Sequence, residues 1–166
     1  MRASAAPTAG LHFTPELWEH LRARCEVVEV ELRVGLDTFR PVTAETLEAH
    51  PMHSEAYRVD PAVRTAIREA VANGRRVVCI GTTSVRVVET IVDPAAPDEG
   101  RASLLIAPGY RFRAVGALVT NFHLPRSTLL ALVMAFSGVS ETRRIYAEAI
   151  RERYRFYSFG DASLLL

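Results

Sequence analysis

"RRVVCIGTTSVRVVE", residues 75–89, is an unbroken apolar run that stops on a glycine and reopens with apolar residues at helical spacing. "RRVVCIG" reads as a continuous apolar strand of the kind buried on both faces. Gly81, Thr82 and Thr83 read as a sharp exit into a helix, with a threonine available as its cap. Upstream, Asp60 and Pro61 start a helix whose stripe is Ala62, Val63, Ile67, Ala70 and Val71, and Asn73-Gly74 stops it. Helix, strand, loop, helix over residues 60–92 is the order of an α/β fold, with a largely parallel or mixed central sheet flanked by helices.

On the amino-terminal side, Thr14, Pro15 and Glu16 supply a cap, a first-turn proline and an early acid for a helix over "ELWEHLRARC". "EVVEVELRV" alternates as a strand, "TAETLEAH" as a short helix and "SEAYRV" as a strand. On the carboxyl-terminal side, "DPAAPDEG" reads as a surface loop. "SLLIAPGYRF" and "GALVTNF" read as strands around a Pro-Gly turn, "RSTLLALVMAF" and "SETRRIYAEAIRERY" as helices parted at Ser137-Gly138, and "YRFYSFGDASLLL" as ending in a strand. No repeat or linker divides the chain, so residues 1–166 are expected to form one α/β domain.

The 49% hydrophobic and 23% charged content is that of an ordinary globular domain, and the net charge of +1 neither advertises nor excludes a nucleic-acid partner. All 20 basic residues are arginine, which removes Schiff-base lysines and the P-loop lysine from consideration. Cys25 and Cys79 stand far apart and form no CxxC pair, so neither a disulfide framework nor a thiolate metal site is indicated. The longest apolar run, Leu129 to Phe136, is too short to cross a bilayer, and without a basic n-region followed by an apolar h-region no secretory leader is expected. A cytoplasmic protein without a membrane partner is expected.

Five stretches carry chemical groups. The turn at Gly81–Thr83 would leave backbone N–H groups at the carboxyl end of a strand, where an α/β sheet places ligands; one glycine falls far short of GxGxxG, and a plain threonine cap explains the pattern equally well. "VTNFHLPRSTLL" places Asn121, His123 and Arg126 beside a second strand-to-helix junction, where Pro125, Ser127 and Thr128 already account for the turn. His123 there is either an acid or base oriented by Asn121 or a structural histidine. "HPMHSE" offers His50, His53 and Glu55, but Pro51 breaks the helical spacing a metal pair would need, and no metal is expected. "PTAGLHFTPE" puts Gly10 and His12 before a helix, as ligand contacts or as a loop closed by a hydrophobic staple. "RERYRFYSFGD" interleaves arginine with aromatics, a composition suited to RNA and equally to a buried aromatic strand.

Taken in order, "PTAGLHFT", "VGLDTFRPV", "MHSE", "GTTSVRVVE", "PGYRF", "TNFHLPRSTLLALVMAF" and "YRFYSFGDASLL" resemble the signature segments of the S-adenosylmethionine:tRNA ribosyltransferase-isomerases of queuosine biosynthesis. The resemblance implies transfer and isomerisation of the ribosyl part of S-adenosylmethionine onto 7-aminomethyl-7-deazaguanine in tRNA, giving epoxyqueuosine-tRNA, adenine and methionine. S-Adenosylmethionine is then a co-substrate, and no true cofactor or metal is implied. For the catalytic set, the matched positions imply His123 or His12 for proton transfer, with Glu89 or Glu55 as a carboxylate partner. Thr82, Thr83, Ser84, Arg86, Asn121, His53, Ser127, Thr128, Arg155 and Asp161 become the substrate-binding set.

This chain departs from the pattern at Arg33, where the family usually has histidine, at Asp37, where it has glycine, and at Phe159, where it often has tyrosine. It aligns with the carboxyl-terminal part of the family's core domain, so part of the core and an inserted β-barrel domain are expected to be missing. An incomplete core with an open sheet edge would favour self-association or a companion chain. The alternatives are therefore a noncatalytic ligand-binding or assembly module, or another S-adenosylmethionine-dependent enzyme.

Overall fold

The computed structural model describes residues 8–34 and 54–166. A 3-10 helix (Thr8–His12) leads into α1 (Pro15–Arg22) and β1 (Glu31–Arg33). Then come β2 (Glu55–Arg58), α2 (Pro61–Ala72), β3 (Val77–Ile80), α3 (Thr82–Ile91), β4 (Glu99–Ala102) and β5 (Val115–Asn121), followed by α4 (Thr128–Ser137), α5 (Val139–Arg151) and β6 (Ala162–Leu165). Among the described residues no helix is long and apolar enough to cross a membrane. The predicted helix over 43–50 and the loop holding Asp37 lie outside the described residues.

Local chemistry sets the helix ends. Thr14 Oγ1 accepts from the Leu17 N–H at 3.3 Å, and Phe13 stacks on Trp18 at 4.8 Å, the staple expected before α1. Asp60 accepts from the Ala62 N–H at 2.8 Å to open α2. At its far end Gly74 takes the left-handed conformation, φ 66°, so that its N–H reaches Val71 O and that of Arg75 reaches Ala70 O. Of the predicted stripe, Ile67 is buried, Val63, Ala70 and Val71 are half-buried, and Ala62 is exposed.

The α/β class is borne out, but the strands form two three-stranded sheets instead of one central sheet. In the first, β1, β2 and β4 are antiparallel; in the second, β3 runs parallel to β5, and β6 is antiparallel to β5. The division arises on the crossover from β3 to β5, where the chain lays β4 against β2 in a separate sheet. A row of Cys79, Leu118 and Leu165 runs across the second sheet, and α3 supplies Val85, Val88 and Ile91 to the same core cluster, which also takes Tyr57 and Ala102 from the first sheet. Burying each large aliphatic side chain contributes about 1.5–3 kcal/mol.

Several expected strands differ. β1 covers Glu31–Arg33, which pair with Ala56–Arg58 of β2. "SLLIAPGYRF" is not a strand; the pairing falls earlier, in Glu99–Ala102, inside and just beyond the predicted surface loop. β3 is not buried on both faces: Cys79 is, but Val78 on the other face is 52% exposed, as Leu164 is at 59%. Residues 152–161 form an irregular loop and not a buried aromatic strand, with Tyr157 and Phe159 exposed.

Candidate active site

β3 and β5 are parallel neighbours, paired Ile80 with Val119, so their carboxyl ends lie side by side. The Gly81 N–H donates to Val119 O at 2.8 Å and binds the turn after β3 to the end of β5. The threonine cap expected for α3 is not formed. Gly81, at φ 87°, holds the cap position without a side-chain hydrogen bond, and Thr82 is the buried first residue of the helix. The first-turn N–H groups therefore end in a positive helix terminus with no side chain folded over it.

At the end of β5, Thr120 and Asn121 are consecutive and leave the strand on opposite faces. On one face the Asn121 amide donates to Tyr157 O and Gly160 O, both at 3.2 Å, and lies 3.5 Å from His12 Nε2. Two carbonyls thus consume both amide hydrogens and fix the amide's orientation. Its Oδ1 is buried with no partner, a state that costs about 1–3 kcal/mol unless a donor arrives. Asp161 closes the adjoining loop by accepting from the Arg155 N–H at 2.7 Å. That bond chiefly holds the Asp161 carboxyl below its ordinary range, with smaller help from the Arg155 guanidinium and from His12. Gly160 admits no side chain, since a Cβ would lie 2.4 Å from Arg155 O.

On the other face Thr120 Oγ1 lies 2.8 Å from His123 Nε2, while the His123 N–H donates to the Tyr146 hydroxyl at 2.9 Å. Burial pushes the His123 pKa down to about 4, so the ring is neutral near pH 7. Between about pH 6.5 and 4 the unfolded chain takes up a proton that the folded chain refuses, so stability is full above that window and falls as pH falls through it. We expect urea stability to drop by up to about 3 kcal/mol from pH 7 to pH 4 through this group. His123→Gln should flatten that slope; an unaltered slope in the variant would exclude His123 as its source.

The predicted carboxylates sit elsewhere. Glu89, fully buried, accepts on one oxygen from the Tyr110 hydroxyl and the Arg113 N–H, both at 2.9 Å. Its other oxygen accepts from the N–H groups of Ala114 at 3.0 Å and Val115 at 2.9 Å. At 1.5 Å per residue it stands about 10 Å along α3 from Thr82. Arg86 forms a buried ion pair with Glu55 and reaches Ala102 O, which joins α3 to the first sheet. Both groups brace the helix from its far side.

A family model described as queuosine biosynthesis protein matches residues 1–165. The chain belongs to this queuosine biosynthesis family. Relatives named S-adenosylmethionine:tRNA ribosyltransferase-isomerase include one from Symbiobacterium thermophilum, 54% identical over 99% of this chain and 49% of the relative. Another, from Thermotoga maritima, is 52% identical over 98% and 49%. A crystal structure of S-adenosylmethionine tRNA ribosyltransferase from Thermotoga maritima superposes with a TM-score of 0.77 at 45% identity, covering 95% of this chain and 51% of that one. The chain spans about half the length of the curated relatives it matches.

Within this queuosine-family fold, the strand-end cluster joins His12, Asn121, Arg155 and Asp161 from three separate segments. Ser127 caps α4, accepting from the Leu130 N–H at 3.1 Å and donating to Leu124 O at 2.8 Å; Thr128 follows it, half-buried. The Ser84 hydroxyl donates to Ile80 O at 2.8 Å, and Thr83 is half-buried beside it. His53 lies outside the described residues, as does His50. Among the described residues no His, Cys, Asp and Glu side chains converge as a metal site. The sequence did not single out Thr120 or Tyr146, the partners of His123. Thr120 adjoins Asn121 within the quoted stretch and could have been found there, whereas Tyr146 carries no local signal.

Proposed function

We propose that this chain is the carboxyl-terminal part of an S-adenosylmethionine:tRNA ribosyltransferase-isomerase, that residues 1–166 act as one α/β unit, and that it works in the cytoplasm. The observation that carries the reading is Asn121 at the end of two parallel strands, its Oδ1 buried without a partner and its amide nitrogen 3.5 Å from His12 Nε2, in a chain of this family. The ribosyl part of S-adenosylmethionine moves to the aminomethyl nitrogen of 7-aminomethyl-7-deazaguanine in tRNA; a carbon–nitrogen bond forms there, and adenine and methionine depart. S-Adenosylmethionine is consumed as a co-substrate, without a separate cofactor.

In this scheme the exposed His12 removes the proton next to the sulfonium. Asn121 Oδ1 accepts a hydrogen bond from the substrate and the open first turn of α3 at Thr82, Thr83 and Ser84 receives its carboxylate. Asp161 and Arg155 hold the loop that backs His12, and His53 adds to the binding set. His123, neutral and half-buried, is assigned to positioning with Ser127 and Thr128. Glu89, Glu55 and Arg86 keep α3 in register with the rest of the fold.

The test is to incubate the chain with S-adenosylmethionine and precursor tRNA, alone and with a polypeptide spanning the other half of the relatives. Adenine in either mixture supports the proposal. Its absence from both, with the two polypeptides co-purifying, would favour an assembly module, a reading that the exposed Val78 and Leu164 make specific. Methylated RNA in place of adenine would assign a different S-adenosylmethionine reaction.

A further inference from the structure

The carboxyl-terminal ends of α2 and α5 are built alike, with different residues at the point of strain. Each ends on a left-handed residue whose N–H turns back to the helix: Gly74 to Val71 O at 3.1 Å, and Arg153 to Ile150 O at 3.1 Å. In both, the next N–H reaches five residues back, Arg75 to Ala70 O and Tyr154 to Ala149 O, each at 2.8 Å. Glycine is the usual residue there because a Cβ is penalised in that conformation. Arg153 takes it at φ 57°, and four residues later Tyr157 takes it at φ 72°. Backbone strain at two non-glycine positions in one loop calls for a use of their side chains.

Those side chains face water. Tyr157 is 60% exposed and Phe159 88%, although each ring would gain by burial. The backbone beneath them is fixed: the Tyr157 N–H donates to Phe122 O at 3.2 Å, the Gly160 N–H to Tyr157 O at 3.0 Å, and the Asp161 N–H to Arg155 O at 2.9 Å. Arg151 is engaged with Glu148 and Glu152, and Arg155 with Asp161, whereas Arg153 has no ion pair among the described residues. A held loop showing two open rings and one uncommitted guanidinium has the elements of a base-stacking, phosphate-binding platform. Through the Asn121 amide the loop is tied directly to the candidate active site.

We infer that Tyr157 and Phe159 stack on unpaired bases, and Arg153 binds the phosphate backbone, of a single-stranded RNA loop presented to the site. The inference rests on the RNA-acting function proposed above and adds the surface that grips that substrate. A duplex is disfavoured because its bases offer no open faces to stack on.

The experiment measures binding of the 166-residue chain to a labelled hairpin RNA with an unpaired loop, and to a fully paired duplex of equal length, without S-adenosylmethionine. The parent should prefer the hairpin. Tyr157→Ala with Phe159→Ala should weaken hairpin binding about 10–100-fold and leave the weaker duplex binding unchanged. Arg153→Gly should reduce the salt slope by roughly 0.7, the share of one phosphate contact on a single strand, while its melting temperature stays level or rises because the strained Cβ is gone. The inference is overturned if the parent binds no RNA or shows no hairpin preference, if the ring variant binds as tightly as the parent, or if Arg153→Gly keeps the full salt slope or melts earlier. Adenine release is scored separately, so hairpin binding without adenine in any mixture would reject the transferase reading and keep this surface.

Discussion

Glu89→Ala is expected to lower the free energy of unfolding by about 3–5 kcal/mol, measured by urea denaturation at neutral pH. The substitution removes the acceptor for three backbone N–H groups, Arg113 to Val115, and for the Tyr110 hydroxyl, at a fully buried position. A stretch without strand pairing of its own between Ala102 and Val115 depends on that carboxylate to enter β5 correctly. Single domains have only about 5–15 kcal/mol in total, so the variant should sit near the edge of folding. Glu89→Gln keeps one acceptor oxygen but turns an amide N–H₂ toward backbone donors, and should fall between the two. The Tyr110 hydroxyl, pushed up to about 12 by burial and then by its bond to Glu89, should titrate lower in whatever alanine variant remains folded. Stability within 1 kcal/mol of the parent would show that the loop finds other acceptors, about the worth of a single ordinary hydrogen bond.

His12→Ala is expected to cut adenine release by about 10²–10⁴-fold in the mixture that supports turnover, the range for loss of a general base. Little structural cost should accompany it, because His12 is exposed and, among the described residues, its side-chain polar contact is a 3.5 Å approach to the Asn121 amide, beside a weaker charge effect on Asp161. His123→Ala should act differently: it deletes a half-buried ring bonded to Thr120, so urea stability falls while part of the turnover survives. The two variants separate a proton-transferring role from a positioning one. Full activity in His12→Ala, with none in a folded His123→Ala, would exchange the two assignments.

Elements whose signals are local were legible in the sequence. Thr14 before Pro15, Asp60 before Pro61, and Ser127 ahead of an apolar run each named a helix start that the coordinates reproduce. The junctions after β3 and β5 were equally readable, and with them the placing of Thr82, Asn121 and His123 at strand ends. Nonlocal pairing was hidden. Nothing in "EGRA" announces a strand until β2 lies beside it, and nothing in "SLLIAPGYRF" says that a glutamate on a distant helix will serve its backbone. Residue type and matched position make Glu89 or Glu55 a carboxylate partner for the catalytic histidine, and burial with tethered donors is invisible at that level. Arg153 was partly visible: a helix ending in "RERYR" offers no glycine where the chain must turn.

β5 delivers its two terminal polar side chains by parity alone. With a period of two, sliding this strand one residue against β3 and β6 would send the amide of Asn121 toward the hydrophobic interior and offer Thr120 to His12. Point substitutions along the strand can be absorbed, but a single inserted or deleted codon between Val115 and Thr120 would invert that strand end even if the sheet itself still formed. The alignment of Cys79, Leu118 and Leu165 is therefore the gauge that sets which histidine meets which partner.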